Sequence, residues 1–125
     1  MKIVVTATGK NLDAAVDPRF GRAPFFIVYD TETQEYQTVP NPALQSAHGA
    51  GVQAAQMMMD RGIRAVLTGR VGPNAHQILT SAHIEIRNCP AVSVEEAVRL
   101  YEKGELPTVE QAGPPHGGQQ RGRNR

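Results

Sequence analysis

The stretch "IRAVLTGRVGPNAHQILTSAHIEI" occupies residues 63–86. It opens with a short apolar run at 63–68, which reads as a buried strand. "GRVG" then makes a tight loop, and Pro73 stands where a helix tolerates proline, at its first position. Ala75, Ile78, Leu79 and Ala82 recur at the spacing of one helical face. Ile84 and Ile86 mark the next strand. Strand, helix and strand in so few residues form a crossover unit, which joins parallel strands.

Working outward, "GAGVQAAQMMMDRG" precedes this unit. Val52, Ala55, Met58 and Met59 are expected on the buried face of a helix that Gly62 ends. Farther upstream, "FFIVYD" at 25–30 and the alternating 35–39 are two strands joined by polar "TETQ", with Pro40 and Pro42 stopping the second. "KIVVTAT" at 2–8 is β-branched and apolar, as expected of a central strand. Downstream, "SVEE" is a capping box with Ser93 as N-cap and Glu96 three residues on. Val94, Ala97, Val98 and Tyr101 form that helix's apolar stripe, and Gly104 closes it. The order β-β-β-α-β-α-β-α is an α/β fold with a mixed five-stranded sheet and helices on its faces.

The chain of 125 residues suits one domain, expected over 1–108, with a disordered Gly/Pro/Arg-rich tail over 109–125. Net charge is +1, but the last fifteen residues hold three arginines and no acid. The ten remaining basic residues face twelve acidic ones, so the body is mildly acidic. That argues against a dedicated nucleic-acid binder, which would carry a basic stripe. No apolar run is long enough to cross a membrane, and the N-terminal apolar stretch is too short for a signal peptide, so a cytoplasmic location is expected. Cys89 is the only cysteine and is read as a small buried hydrophobe. "MMM" at 57–59 is read as core packing rather than soft metal ligands, and His76 and His83 as surface residues.

Strands one, three, four and five should all end at the same edge of the sheet. Ligands of open α/β sheets bind outside the carboxyl ends of the strands. The loops leaving that edge carry "VDPRFGRAPFF" at 16–26, with Arg19, Phe20, Gly21 and Arg22, followed by Asn41, His48, Gly49 and Gly51, then Gly69, Arg70 and Gly72. Two helix N-termini open there, and each attracts anions. The arginines are expected to form a cationic rim; the alternative is a turn braced by Asp13 or Asp17. His48 either serves helix entry or ligates a metal. "TGRVGPNA" lacks the Gly-Lys-Ser/Thr ending of a nucleotide loop. No nucleophile–base pair is visible. The first strand carries no acid for a two-metal nuclease.

"VDPRFGRAPFF", "HGAG" at 48–51 and "TGRVGPNA" at 68–75 resemble, in this order, the dinitrogenase iron-molybdenum cofactor biosynthesis family, which includes NifX-like proteins, the C-terminal part of NifB-like proteins and an orange-protein-like branch. The resemblance implies a ribonuclease-H-like fold and a non-catalytic binding or carrier role for an anionic metal–sulfur cluster of iron–sulfur, iron–molybdenum or molybdenum–copper type. It implies cluster-assembly proteins as partners. His48 would be the metal ligand and the other rim residues the cofactor-binding set. Nitrogenase-associated members often carry D-x-H-F-G, whereas this chain has Arg19 at the histidine position. A guanidinium cannot ligate a metal; it pairs with anions. A monomer or weak homodimer is expected. The alternative function is a regulatory module that binds a phosphate-bearing metabolite or a protein partner at the same edge.

Overall fold

The structure is a computed structural model that describes residues 1–44 and 49–109. Its elements are β1 (Lys2–Ala7), β2 (Phe25–Asp30), β3 (Tyr36–Pro40), α1 (Ala50–Asp60), β4 (Ala65–Thr68), α2 (Pro73–Ser81), β5 (Glu85–Asn88) and α3 (Val94–Glu102). The sheet order is β3-β2-β1-β4-β5. β2 pairs antiparallel with both β1 and β3, while β4 is parallel to β1 and to β5. The mixed sheet expected from the hairpin and crossovers is therefore present.

β1 lies at the centre and is apolar on both faces, as a doubly covered strand must be. Ile3, Val5 and Ala7 face one core with Ile27, Leu67, Val94, Ala97 and Val98. Val4 faces the other, with Phe26, Val66, Ala54, Met58 and Leu79. Thus α3 covers one face, and α1 packed on α2 covers the other.

The helix ends follow local chemistry. Ser93 Oγ accepts the Glu96 N–H at 3.1 Å, while the Glu96 carboxylate pairs with Arg99. Gly72 caps α2, with Pro73 at its first position. Gly62 adopts φ 69°, and the chain reverses there through Ile63 N–H to Met58 O at 3.1 Å.

The expected phase of α1 is corrected. Ala50, Ala54, Ala55 and Met58 are buried and Val52 is half-buried, but Met59 is 45% exposed. Packing against both sheet and α2 selects a wider face than a sheet alone, and it starts at Ala50. His76 is corrected too: it is half-buried, and its Nε2 is the one fully buried side-chain polar atom without a partner among the described residues. His83 is exposed, at φ 61°.

The tail expected from residue 109 begins with an ordered residue. Val109 donates to Ile86 O at 2.7 Å and packs on the core. Residues 110–125 lie outside the described ones.

Candidate functional site

Residues 8–24 cross the carboxyl edge of the sheet as a strap. Near α3, the Ala14 and Leu12 carbonyls accept the N–H groups of Val94 and Glu95, at 2.8 and 2.9 Å. Over β1, Thr8 N–H donates to Ala15 O and Asp17 N–H to Thr6 O. Over β4, Arg70 N–H donates to Pro18 O at 2.7 Å and Phe20 N–H to Arg70 O at 3.1 Å. The strap then meets α1, where Gly21 lies so close that a Cβ there would be 2.8 Å from Gly51 N. Gly69 is equally constrained: a Cβ would lie 2.7 Å from Pro18 Cα and O.

The strap ties the arginines expected at this edge into contacts of its own. Arg19 and Arg70 are neighbours through a parallel bridge, but Arg19 is committed to Asp17. Its Nε and one terminal nitrogen each donate to that carboxylate at 3.1 Å. The Asp17 side chain is 3% exposed. These hydrogen bonds, with the carboxylate's charge, raise the Arg19 pKa above its ordinary value. The braced-turn alternative describes this arginine. Arg22 donates to Leu44 O at 3.3 Å. Arg70 is exposed.

Other expected rim residues also make structural contacts. Phe20 is buried, its ring 6.0 Å from that of Phe26. Asn41 is buried; its amide donates to Gly21 O and Ala23 O, and its Oδ1 accepts the Ala43 N–H. Gly69 lets Pro18 approach. His48, the proposed metal ligand, lies outside the described residues. Cys89 is buried, and burial pushes its thiol up to about 11.

What remains open is a notch of about 210 Å³ between the N-termini of α1 and α2. Phe20, Gly21, Gly49, Gly51 and Gly72 line it, as the sequence expected. Ala50, Val52, Pro73, Asn74 and Ala75 line it too, and were not expected. Among the described residues, neither helix has a side-chain cap. The backbone N–H groups of Ala50, Gly51, Val52, Asn74 and Ala75 meet no acceptor among the described residues. In α3, by contrast, the first-turn donors are taken by the strap and by Ser93. The notch therefore holds two positive dipole ends and a set of open donors, fitted to negative charge. The signal in the sequence was "GAG" and "GPN", two helix starts without Ser, Thr or Asp.

The sequence profile of the dinitrogenase iron-molybdenum cofactor family matches residues 1–104. The chain belongs to that family. Its relatives include the apo orange protein of Desulfovibrio gigas, 40% identical, with 90% of this chain and 96% of that one covered at TM-score 0.86. A Thermotoga protein provisionally assigned as NifB is 29% identical over 91% and 97% of the two chains, at TM-score 0.80. An uncharacterised protein of Methanocaldococcus jannaschii is 26% identical over 113 residues, 88% of this chain and 92% of that one.

Among the described residues of this family member, no group of three or more His, Cys, Asp or Glu could hold a metal. No described helix is long and apolar enough to cross a membrane. The Cys89 thiol makes a separate prediction. The unfolded chain loses this proton near its ordinary pKa, whereas the folded chain keeps it to about 11. The unfolded state thus binds fewer protons between about pH 9 and 11, and stability falls as pH rises, by at most about 1.4 kcal/mol per pH unit. Denaturant titrations at stepped pH should show this slope, and Cys89→Ala should flatten it.

Proposed function

We propose that the protein is a non-catalytic binder or carrier of an anionic metal–sulfur cluster, seated at the notch between α1 and α2. The observation that carries this reading is the pair of helix N-termini, uncapped by side chains among the described residues, whose first-turn residues line one glycine-walled concavity. Such groups hydrogen-bond sulfide or oxide and stabilise negative charge, but they form no bond to a metal. The described residues therefore suit a cluster that arrives with its own sulfide ligands, and offer no ligand set for a bare cation. Membership in a family named for the iron–molybdenum cofactor, and likeness to the orange protein, support the same class of cargo. Within that class, thiomolybdate with or without copper is the first candidate, because Arg19 stands where a ligating histidine is common in nitrogenase-associated members. His48, next to Gly49 in sequence, would add one metal bond. Arg70 would contribute long-range positive charge from outside the notch.

Anaerobic incubation of the purified protein with tetrathiomolybdate, alone and with copper(I), tests this. A coloured species co-eluting with the protein is the expected result. Thermal stabilisation by inorganic phosphate or nucleotide, with no chromophore from any thiometallate, would assign the notch to a phosphate-bearing metabolite instead, since a ligand of the folded state raises its melting temperature.

A further inference from the structure

Across the sheet from the notch, the strap, β2, the turn after β2 and α3 line a cavity of about 320 Å³, at the lower end of the range for small-molecule sites. Glu95 and Glu102 border it from α3. They stand at i and i+7, and so on one side of that helix. Neither forms an ion pair among the described residues. Arg99 lies between them along the helix but pairs with Glu96. Leu12 and Val98 supply apolar surface between the two carboxylates. Tyr29 of β2 faces the same cavity. It is only 9% exposed, yet its hydroxyl has no hydrogen-bond partner among the described residues, where a buried phenol usually finds one. Burial, then the charges of Glu102 and Glu95, raises its pKa above the ordinary value. Both carboxylates therefore act on the phenol oxygen.

We infer that this cavity binds a short aliphatic diamine, with one ammonium at Glu95, the other at Glu102, and the methylenes between them on Leu12 and Val98. Tyr29 Oη accepts a hydrogen bond from one ammonium. The spacing selects the class. Two helical turns attach the two glutamates about 10 Å apart along α3. Charge-assisted N–H···O bonds of about 2.8 Å at each end leave about 5 Å between the nitrogens, the reach of a propane or butane chain. A monoamine satisfies one carboxylate and leaves the other bare. A bare metal ion fits worse, because no group of three or more His, Cys, Asp or Glu among the described residues could hold it, and apolar side chains give a hydrated ion nothing. Both glutamates are exposed, so binding is weak and falls as salt rises. The cavity and the notch lie on opposite faces of the sheet, and this inference stands whatever the notch holds.

NMR titration of the purified protein with putrescine, the diamine of butane, tests it at neutral pH and low ionic strength. Saturable amide shifts should gather on α3 and at Leu12, Tyr29 and Gln34, which line the cavity. n-Butylamine should bind about fivefold more weakly, the loss of one exposed ion pair. Magnesium chloride at matched ionic strength should give no saturable shift there. Glu95→Gln and Glu102→Gln should each weaken putrescine by about the same factor, with circular dichroism unchanged. Tyr29→Phe keeps the ring and removes only the hydroxyl, so it should keep the melting temperature and weaken putrescine about threefold. Shifts that do not saturate, butylamine binding as tightly as putrescine, or a saturable magnesium response at the same residues would overturn the inference. So would any of the three variants binding like wild type, or putrescine shifts confined to α1 and α2.

Discussion

Gly72→Asp should abolish thiometallate binding while leaving the fold intact. Gly72 caps α2 in extended backbone, φ −68° and ψ 168°, which any residue adopts. A Cβ there meets nothing within 4 Å. Aspartate is a preferred N-cap, so stability should hold or rise by a few tenths of a kcal/mol. Its carboxylate would accept from the N–H groups of Asn74 or Ala75, which lack acceptors among the described residues and line the notch. It would also set a negative charge about 5 Å from a bound anion, a repulsion of about 3 kcal/mol at an effective dielectric constant of ~20. Affinity should fall roughly a hundredfold, read as loss of the co-eluting chromophore. Gly72→Asn separates the two causes, since it occupies the donors without charge and should weaken binding less. Gly72→Ala, which does neither, should bind like wild type. An aspartate variant that retains the chromophore would move the cargo away from this notch.

The second large effect falls on stability. In Gly69→Ala a Cβ would sit 2.7 Å from the Pro18 backbone and 2.8 Å from its Cβ. No flexible side chain is available to yield. The strap must lift from β4, breaking the Arg70 N–H to Pro18 O bond and the bridge beside it. Overpacking of this kind costs about 1–3 kcal/mol. The melting temperature of a domain this size should fall by roughly 5–15 °C, measured by calorimetry. Gly62→Ala is the comparison: φ 69° strains it, but open space surrounds the site, so its loss should stay near 1 kcal/mol.

The fold was legible because its signals are local. The hairpin, the crossover around "GRVGP", the Ser93 cap and the Gly62 stop each depend on residues a few positions apart. Parallel pairing then follows from connection length. The site was legible only in part. Its glycines can be read from two helix starts without Ser, Thr or Asp, but the partners of its arginines cannot. Whether Arg19 faces a ligand or Asp17 depends on how the strap folds back, and the bonds that decide it join Thr6, Arg70 and Val92 to it. Phe20 looked like part of the same exposed motif, yet the strap turns its ring onto Phe26. Asn41 lies at the expected edge, but its side chain donates to Gly21 O and Ala23 O and accepts the Ala43 N–H, which seals the loop. In α1, hydrophobicity alone could not distinguish Met58 from Met59, because the neighbour that selects between them is another helix.

The strap also has a temporal consequence. Its carbonyls at Leu12 and Ala14 satisfy the opening turn of α3, and its middle is held by the loop after β4. The N-terminal fifth of the polypeptide therefore cannot settle until nearly everything else has been made. During synthesis the strap waits for partners encoded about fifty and about eighty residues later. A nascent chain stalled before residue 94 would hold the hairpin and leave the Leu12–Ala14 end of the strap without its α3 partners.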